Sequence, residues 1–552
     1  MLATKHQNVI DNAVKANQER TYYSQYPEHP KAYGEDAHAK GLQSYQQLLG
    51  KPFKQLLQSG ETSWTGEEVS PYTQEVLGIT YPVFPVNDLL QKAATAGKSW
   101  AKVPVPERAG MLTETLERIK DYFFDIANAT MHTTGQSFMM SFQASGPHAN
   151  DRALEAIAIG YQELERYPPE LTWEKPMGKT SIKLYKTFRP IPKGTAVVIG
   201  CSTFPVWNTL PGVYADLITG NPIIVKPHPK AILPIAIVVS IIQQSLQDNG
   251  YDPHLCQLAA DSSEHLIAKE LCEHPAVKLI DYTGNSAFGN YIESLPGKTV
   301  FTEKTGVNAV ILDSVKNIDA VMQNLAFSVS LYSGQMCTAP QNIFVPEHGI
   351  QLGDGGIMPF NETVQLFRDA VVSLVNNPKM GAGTLGAIQN EQTFNRAKEA
   401  TQLGGKVILQ GAPVVNEEFS NARVLTPTIV EVTSADTDIY EKELFGPVVL
   451  IIKTRDTDHS IQLTKQMAAK YGAITCGAYT NDANTKEKIT EEMNSVFTPV
   501  SFNFTGFIWV NQHSAFSDFH VSGGNPAGNA SFTNLEFIVK RFIWVGNREL
   551  AE

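Results

Sequence analysis

Through much of the first 170 positions apolar residues recur every three or four places, as in VNDLLQKAATAGKSW and RAGMLTETLERIKDYFFDIANATMH. That is the period of helices that bury one face. The segment TSIKLYKTFRPIPKG breaks the rhythm. It alternates in part, and Pro190 and Pro192 remove ladder donors, which predicts an exposed strand or arm and not a central strand. From residue 194 the pattern changes to short β-branched runs, TAVVIG, PIIVKP, VKLIDYTG and NAVILD, separated by helical stretches. Fully apolar strands alternating with helices predict a parallel sheet covered on both faces.

A second α/β series follows, with QNIFVPE, PTIVEV, GPVVLIIKT and ITCGAYT as strands and ETVQLFRDAVVSLVNN and FNRAKEATQL as helices. The last stretch, SFTNLEFIVKRFIWVG, is strand-like as well. The pattern thus predicts two α/β domains plus arms, with no internal repeat. Gly381, Gly383 and Gly386 in MGAGTLG spell a dinucleotide fingerprint, but the end of a helix precedes them where that fingerprint needs a strand. They are read as a loop.

At 552 residues the chain exceeds one core, and domains of about 100 to 200 residues predict two or three. Lys and Arg total 44 against 56 Asp and Glu, a net −12, without a long basic run, which argues against nucleic acid. The first twenty residues mix charges where a signal peptide needs an apolar stretch. The longest apolar run, AILPIAIVVSII, contains Pro234 and falls short of the roughly 20 residues that span a bilayer. Cys201, Cys256, Cys272, Cys337 and Cys476 form no C-x-x-C pair, so neither a disulfide scaffold nor a zinc site is supported and a reducing cytoplasm is expected. No metal is expected.

Each cysteine is then either core or chemistry. Cys337 follows the apolar stretch AFSVSLY and lies in SGQMCTAP, between Gly334 and Pro340. Free cysteine is among the most buried residue types, yet loops of this kind disproportionately carry nucleophiles. Glu303, ending GKTVFTE, is by itself an ordinary charge after a strand; beside a thiol it supplies a base that forms the thiolate and activates water. Glu443 in KELFGPVVLI and Lys226 at the end of PIIVKP stand where open α/β sheets bind ligands, past the carboxyl ends of strands. Alone, they read as a turn charge and a snorkelling lysine.

In this order and spacing the pieces resemble the aldehyde dehydrogenase superfamily: IIVKP, TGNSAFG at 283–289, EKTGVN at 303–308, GQMC at 334–337, ELFGP at 443–447 and WVN at 509–511. The resemblance spans about 85–545. It implies a Rossmann-like cofactor domain and a catalytic domain, with residues 1–172 and 193–303 in the first, 304–514 in the second, and oligomerisation arms and tail at 173–192 and 515–552. It further implies Cys337 as nucleophile, Glu303 as general base, Lys226 and Glu443 on the riboses of NADP or NAD, Phe445 beside the nicotinamide, and Gly284 and Asn285 near the cofactor. The implied product is a carboxylic acid, made through a thiohemiacetal and a thioester by a homodimer or higher oligomer.

STFPVWNTLPG and GGNPAGNASFTNLEF resemble the PaaN branch of phenylacetate degradation, which implies a semialdehyde from aromatic ring cleavage, perhaps CoA-linked. Three departures qualify this. Pro229 stands where a ribose-binding glutamate is common, so NADP becomes plausible with His228 or Lys230 on its phosphate, and NADP+ is expected to serve at least as well as NAD+. Thr203 stands where the family has an oxyanion asparagine, and GGNPAGN replaces the usual segment near the substrate funnel. A CoA-acylating dehydrogenase and a catalytically weak scaffold are the alternatives.

Overall fold

The computed structural model describes residues 2–509, 515–516 and 524–551. The first α/β series builds a five-stranded parallel sheet in the order Cys256–Leu258, Ile223–Lys226, Thr195–Ile199, Val277–Thr283, Thr299–Glu303. The chain runs outward from the 195–199 strand in one direction and then returns to build the other half. The order therefore reverses between 195–199 and 277–283, and a crevice opens at their carboxyl ends, where such sheets take ligands. Thr203, Lys226, Gly284 and Glu303 all lie at or just beyond those ends.

A seven-stranded sheet holds the second series in the order Lys406–Leu409, Thr428–Thr433, Val448–Thr454, Asn342–Pro346, Ala309–Leu312, Cys476–Tyr479, Val500–Phe502. Only its first pair is antiparallel. NAVILD thus forms the middle of this sheet and does not continue the first series. Strand Thr299–Glu303, which the apolar-run pattern did not single out, completes the first sheet in its place.

Residues Thr180–Pro192 do form a long strand, but it is the middle of a three-stranded antiparallel sheet, between Glu170–Met177 and Phe542–Leu550. Its prolines are tolerated because pairing with 170–177 begins only at Thr187, which leaves Pro190 and Pro192 with a neighbour on one side. The closing stretch is strand only from Phe542. A helical turn, Glu536–Val539, precedes it and buries Phe537 and Ile538, adjacent residues that a strand would have sent to opposite faces.

The N-terminal helices Leu2–Glu19 and Val105–Lys120 pack against Pro147–Leu164, which in turn lies on Pro205–Ile218. Helix Pro147–Leu164 is buried on nearly every side, and its interior positions include the charged Asp151, Arg152 and Glu155. Among the described residues no helix is long and apolar enough to cross a membrane.

Candidate active site

Helix Ile318–Ser330 ends in a sharp reversal in which Tyr332, Ser333 and Gly334 are all left-handed, with φ of 52°, 50° and 66°. Two non-glycine residues in that region store strain, which surrounding bonds must hold. Tyr332 donates to the Thr134 carbonyl at 2.8 Å, and Ser333 to that of Gly386 at 2.9 Å. Gly334 tolerates no side chain, because a Cβ there would stand 2.4 Å from the Gly446 carbonyl oxygen. GQMC and ELFGP are thereby in contact. Beyond the reversal, the Asn308 amide donates to the carbonyls of Cys337 and Ala339 at 2.7 and 3.2 Å and accepts from Ile474 and Thr475 at 3.0 and 3.2 Å. Asn308 closes the EKTGVN motif, and its role of tying together segments far apart in sequence emerges only in the fold.

This fastening presents Cys337 to Glu303, which ends its strand with its side chain buried. The thiol donates to the Glu303 carboxylate, and burial first, then that negative charge, pushes the thiol well above its ordinary range. The resting site therefore holds a protonated sulfur with a base already bonded to it. Arg152 opposes the rise. Its buried guanidinium lies 3.7 Å over the Trp207 ring and donates to the Trp207 carbonyl at 3.3 Å. Burial lowers the guanidinium to about 10, against the pull of Glu303, Glu155 and Cys337, so it stays cationic. On a helix of mostly apolar neighbours, Arg152 gave the sequence no distinguishing mark.

Thr203 reaches this neighbourhood from the loop after strand 195–199. Its carbonyl accepts from the Gln136 amide at 2.7 Å, while its hydroxyl donates to the Cys201 sulfur at 3.9 Å. Asn208, one helical turn on, shares a cavity of about 30 Å³ with Glu303 and Arg152, and its Oδ1 is buried without a partner.

The crevice beyond the first sheet suits a dinucleotide. Buried Lys226 bonds Asp261 Oδ1 at 2.7 Å and the Pro227 carbonyl at 3.0 Å, which sets a donor beside an acceptor as a ribose diol requires. A Cβ on Gly284 would stand 2.4 Å from the Tyr282 hydroxyl, so the backbone there is bare. Asn285 caps helix Ser286–Glu293 by accepting from the Phe288 N–H at 2.9 Å. His228 is pushed down to about 4, by burial and then by Lys226 and Lys230, and its Nδ1 accepts from the Lys230 backbone at 3.1 Å. The imidazole is thus neutral and has no charge to offer a phosphate. Glu443 is raised to about 7 by burial, against a Gly306 backbone hydrogen bond and Arg396, whose guanidinium also donates to the Phe445 carbonyl at 2.7 Å.

The aldehyde dehydrogenase family model matches residues 59–533. The chain belongs to the aldehyde dehydrogenase family. A solved NAD-dependent aldehyde dehydrogenase from Burkholderia multivorans is 40% identical and superposes with a TM-score of 0.97, over 100% of this chain and 99% of that one. Vanillin dehydrogenase of Corynebacterium glutamicum is 21% identical over 521 residues, 92% of this chain and 98% of its own length. A Thermus 1-pyrroline-5-carboxylate dehydrogenase solved with NAD shares the fold at a TM-score of 0.75 and 18% identity, with 96% and 99% of the two chains covered. The protein is accordingly an NAD(P)-dependent aldehyde dehydrogenase.

In this dehydrogenase a cavity of about 210 Å³ opens onto Cys337, and Phe204, Trp207, Phe327, Phe507 and Trp509 supply aromatic wall. A cavity of about 150 Å³ holds a benzene ring. The wall includes Gly383, so MGAGTLG, which follows a helix and contains the single turn Gly381–Thr384, borders this space. Of WVN only Trp509 is described; Val510, Asn511 and Gly523 of GGNPAGN lie outside the described residues.

Proposed function

We propose that this chain oxidises an apolar aldehyde to its carboxylic acid through a covalent intermediate on Cys337. The reading is carried by the Cys337 thiol, hydrogen-bonded to Glu303 beside an aromatic-walled cavity. Glu303 accepts the thiol proton as the sulfur attacks the aldehyde carbon, which gives a thiohemiacetal. The backbone N–H of Cys337 and the Thr203 hydroxyl, turned from Cys201, hold the developing oxyanion. A nicotinamide bound in the crevice supplies the two-electron acceptor. Glu303 then deprotonates the water that cleaves the Cys337 thioester, so one aldehyde and one water give one carboxylic acid while two protons and two electrons leave. Its presence beside the sulfur favours water over CoA as the resolving nucleophile. Lys226 and Asp261 would hold the adenosine ribose, Gly284 and Asn285 the pyrophosphate, and Glu443 and Phe445 the nicotinamide side.

STFPVWNTLPG and GGNPAGNASFTNLEF support placement in the PaaN branch, with a ring-cleavage semialdehyde, possible as a CoA thioester, as substrate. The strand Phe542–Leu550 supports a homo-oligomer: among the described residues it pairs on one side only, and it exposes Ile543 and Val545. We further infer cofactor and catalytic domains at 1–172 with 193–303 and at 304–514, oligomerisation arms and tail at 173–192 and 515–552, and a cytoplasmic location.

Pro229 contributes no carboxylate to the ribose site, but Asp261 does, and Glu67 lies close enough to pull on both Lys226 and His228. A 2′-phosphate would meet two acids and a neutral imidazole, with Lys226 already paired to Asp261 and Lys230 beside the imidazole. NAD+ is therefore expected to be preferred over NADP+, reversing the preference that Pro229 alone suggests, and Asp261→Asn is expected to narrow the ratio by about tenfold. Absorbance of the reduced nicotinamide with pentanal and phenylacetaldehyde, under either cofactor, tests both statements; no signal from any pairing would overturn the function. Thr203→Val removes the hydroxyl and keeps the shape, and is expected to lower kcat by at least about tenfold, whereas Thr203→Asn preserves it. Equal turnover by wild type and Thr203→Val would remove Thr203 from the oxyanion site.

A further inference from the structure

The N-terminal segment that precedes the family match contributes to the substrate cavity. Residues 24–26 are docked on helix Pro147–Leu164: buried Asp151 accepts from the Ser24 hydroxyl at 2.8 Å and from the Gln25 N–H at 3.0 Å, and Tyr26 is 1% exposed. Two residues on, Glu28 lines the cavity that opens onto Cys337, with its carboxylate 3.4 Å from His148 Nε2. Among the described residues the wall includes no lysine or arginine. Among the described residues Glu28 is its one carboxylate, and Asp151 lies behind it, raised first by burial and further by Glu28. A carboxylate-tailed substrate would bring a second negative charge into an aromatic-lined space with no lysine or arginine to meet it, where the His148 imidazole already faces Glu28.

We propose that Glu28 is a charge filter on the tail of the substrate, so that this enzyme takes aldehydes whose far end is neutral and rejects those that end in a free carboxylate. A hydroxyl or a thioester carbonyl meets Glu28 and the His148 imidazole with hydrogen bonds of the right polarity; a carboxylate meets repulsion. For a ring-cleavage semialdehyde the filter requires the acid to be masked, as in a thioester, before oxidation. The reaction that supplies the substrate then delivers a neutral acyl derivative and not a free dicarboxylic semialdehyde. This inference rests on the aldehyde-oxidising reading of the same site.

The test compares pentanal with glutarate semialdehyde, aldehydes of equal chain length, in the full-length protein. Wild type is expected to favour pentanal by at least about a hundredfold in kcat/KM, chiefly through KM. Glu28→Gln, an isosteric change, is expected to bring the ratio below about tenfold, and Glu28→Lys to invert it. Thermal unfolding of each variant shows that the fold is retained. Binding of the unreactive amides pentanamide and 5-amino-5-oxopentanoate, measured by calorimetry, gives the same comparison without turnover, so an enzyme that oxidises neither aldehyde indicts the oxidation reading alone. Comparable wild-type kcat/KM values for the two aldehydes, equal affinity for the two amides, or a ratio that Glu28→Gln leaves in place would overturn the filter.

Discussion

Cys337→Ala is expected to lower aldehyde oxidation by at least about 10⁴-fold, the scale on which loss of a nucleophile abolishes covalent catalysis, while NAD+ still binds. Glu303→Gln is expected to slow turnover by about 10²–10⁴-fold, with an acyl group accumulating on Cys337 that intact mass detects. The two variants are also separable by titration. Burial and the Glu303 charge both raise the Cys337 thiol, so removing that charge must bring the thiol down. The pH midpoint for alkylation of Cys337 by iodoacetamide should therefore fall in Glu303→Gln although turnover collapses. A midpoint that rises, or turnover that persists without the thiol, would place the nucleophile–base pair elsewhere.

How much of this was legible in the sequence depends on how locally each feature is encoded. Apolar runs such as PIIVKP and GPVVLIIKT became buried parallel strands because burial on both faces leaves no polar alternation to confuse. The apolar-run pattern alone groups NAVILD with the first series, because nothing local distinguishes two parallel sheets; the pairing of Ala309–Leu312 with 342–346 and 476–479 decides. The motif residues Cys337, Glu303, Lys226 and Gly284 were recognisable because their order and spacing are themselves a pattern. Arg152, Asp261 and Glu28 were not, since each acquires its function from a partner more than two dozen residues away. Asp261, from the loop after the neighbouring strand, places a carboxylate 2.7 Å from Lys226, a position that reading Pro229 alone does not reveal.

Arg541 is the other residue that the sequence left unmarked, and its replacement is expected to cost the most stability. It is fully buried, donates to both oxygens of Asp281 at 2.7 and 2.5 Å, and lies 2.8 Å from Asp216 Oδ1. Its guanidinium is also packed over the rings of Phe301 and Phe537 at 4.2 and 4.5 Å. The residue immediately precedes the strand Phe542–Leu550, and Asp281 lies in the strand that leads to Gly284, so this one cation ties the arm sheet to the cofactor sheet. Asp216 is raised by burial, with Arg541 opposing and Asp281 adding to the rise. Arg541→Met keeps most of the volume and leaves two facing carboxylates without a counter-charge, an arrangement that costs about 3–5 kcal/mol. Native-state hydrogen exchange at the amides of 277–283 and the urea midpoint should both register the loss. The deficit has a definite pH dependence. Without the arginine Asp216, raised by burial and by the facing Asp281, binds its proton more tightly in the folded chain than in the unfolded one, so the variant loses stability as pH rises from the ordinary aspartate range and recovers part of it as pH falls. Asp216→Asn together with Asp281→Asn in the Arg541→Met background removes the repulsion and should restore much of the stability and flatten that dependence. If Arg541→Met unfolds at the wild-type urea midpoint, the buried cation is not what joins the two sheets.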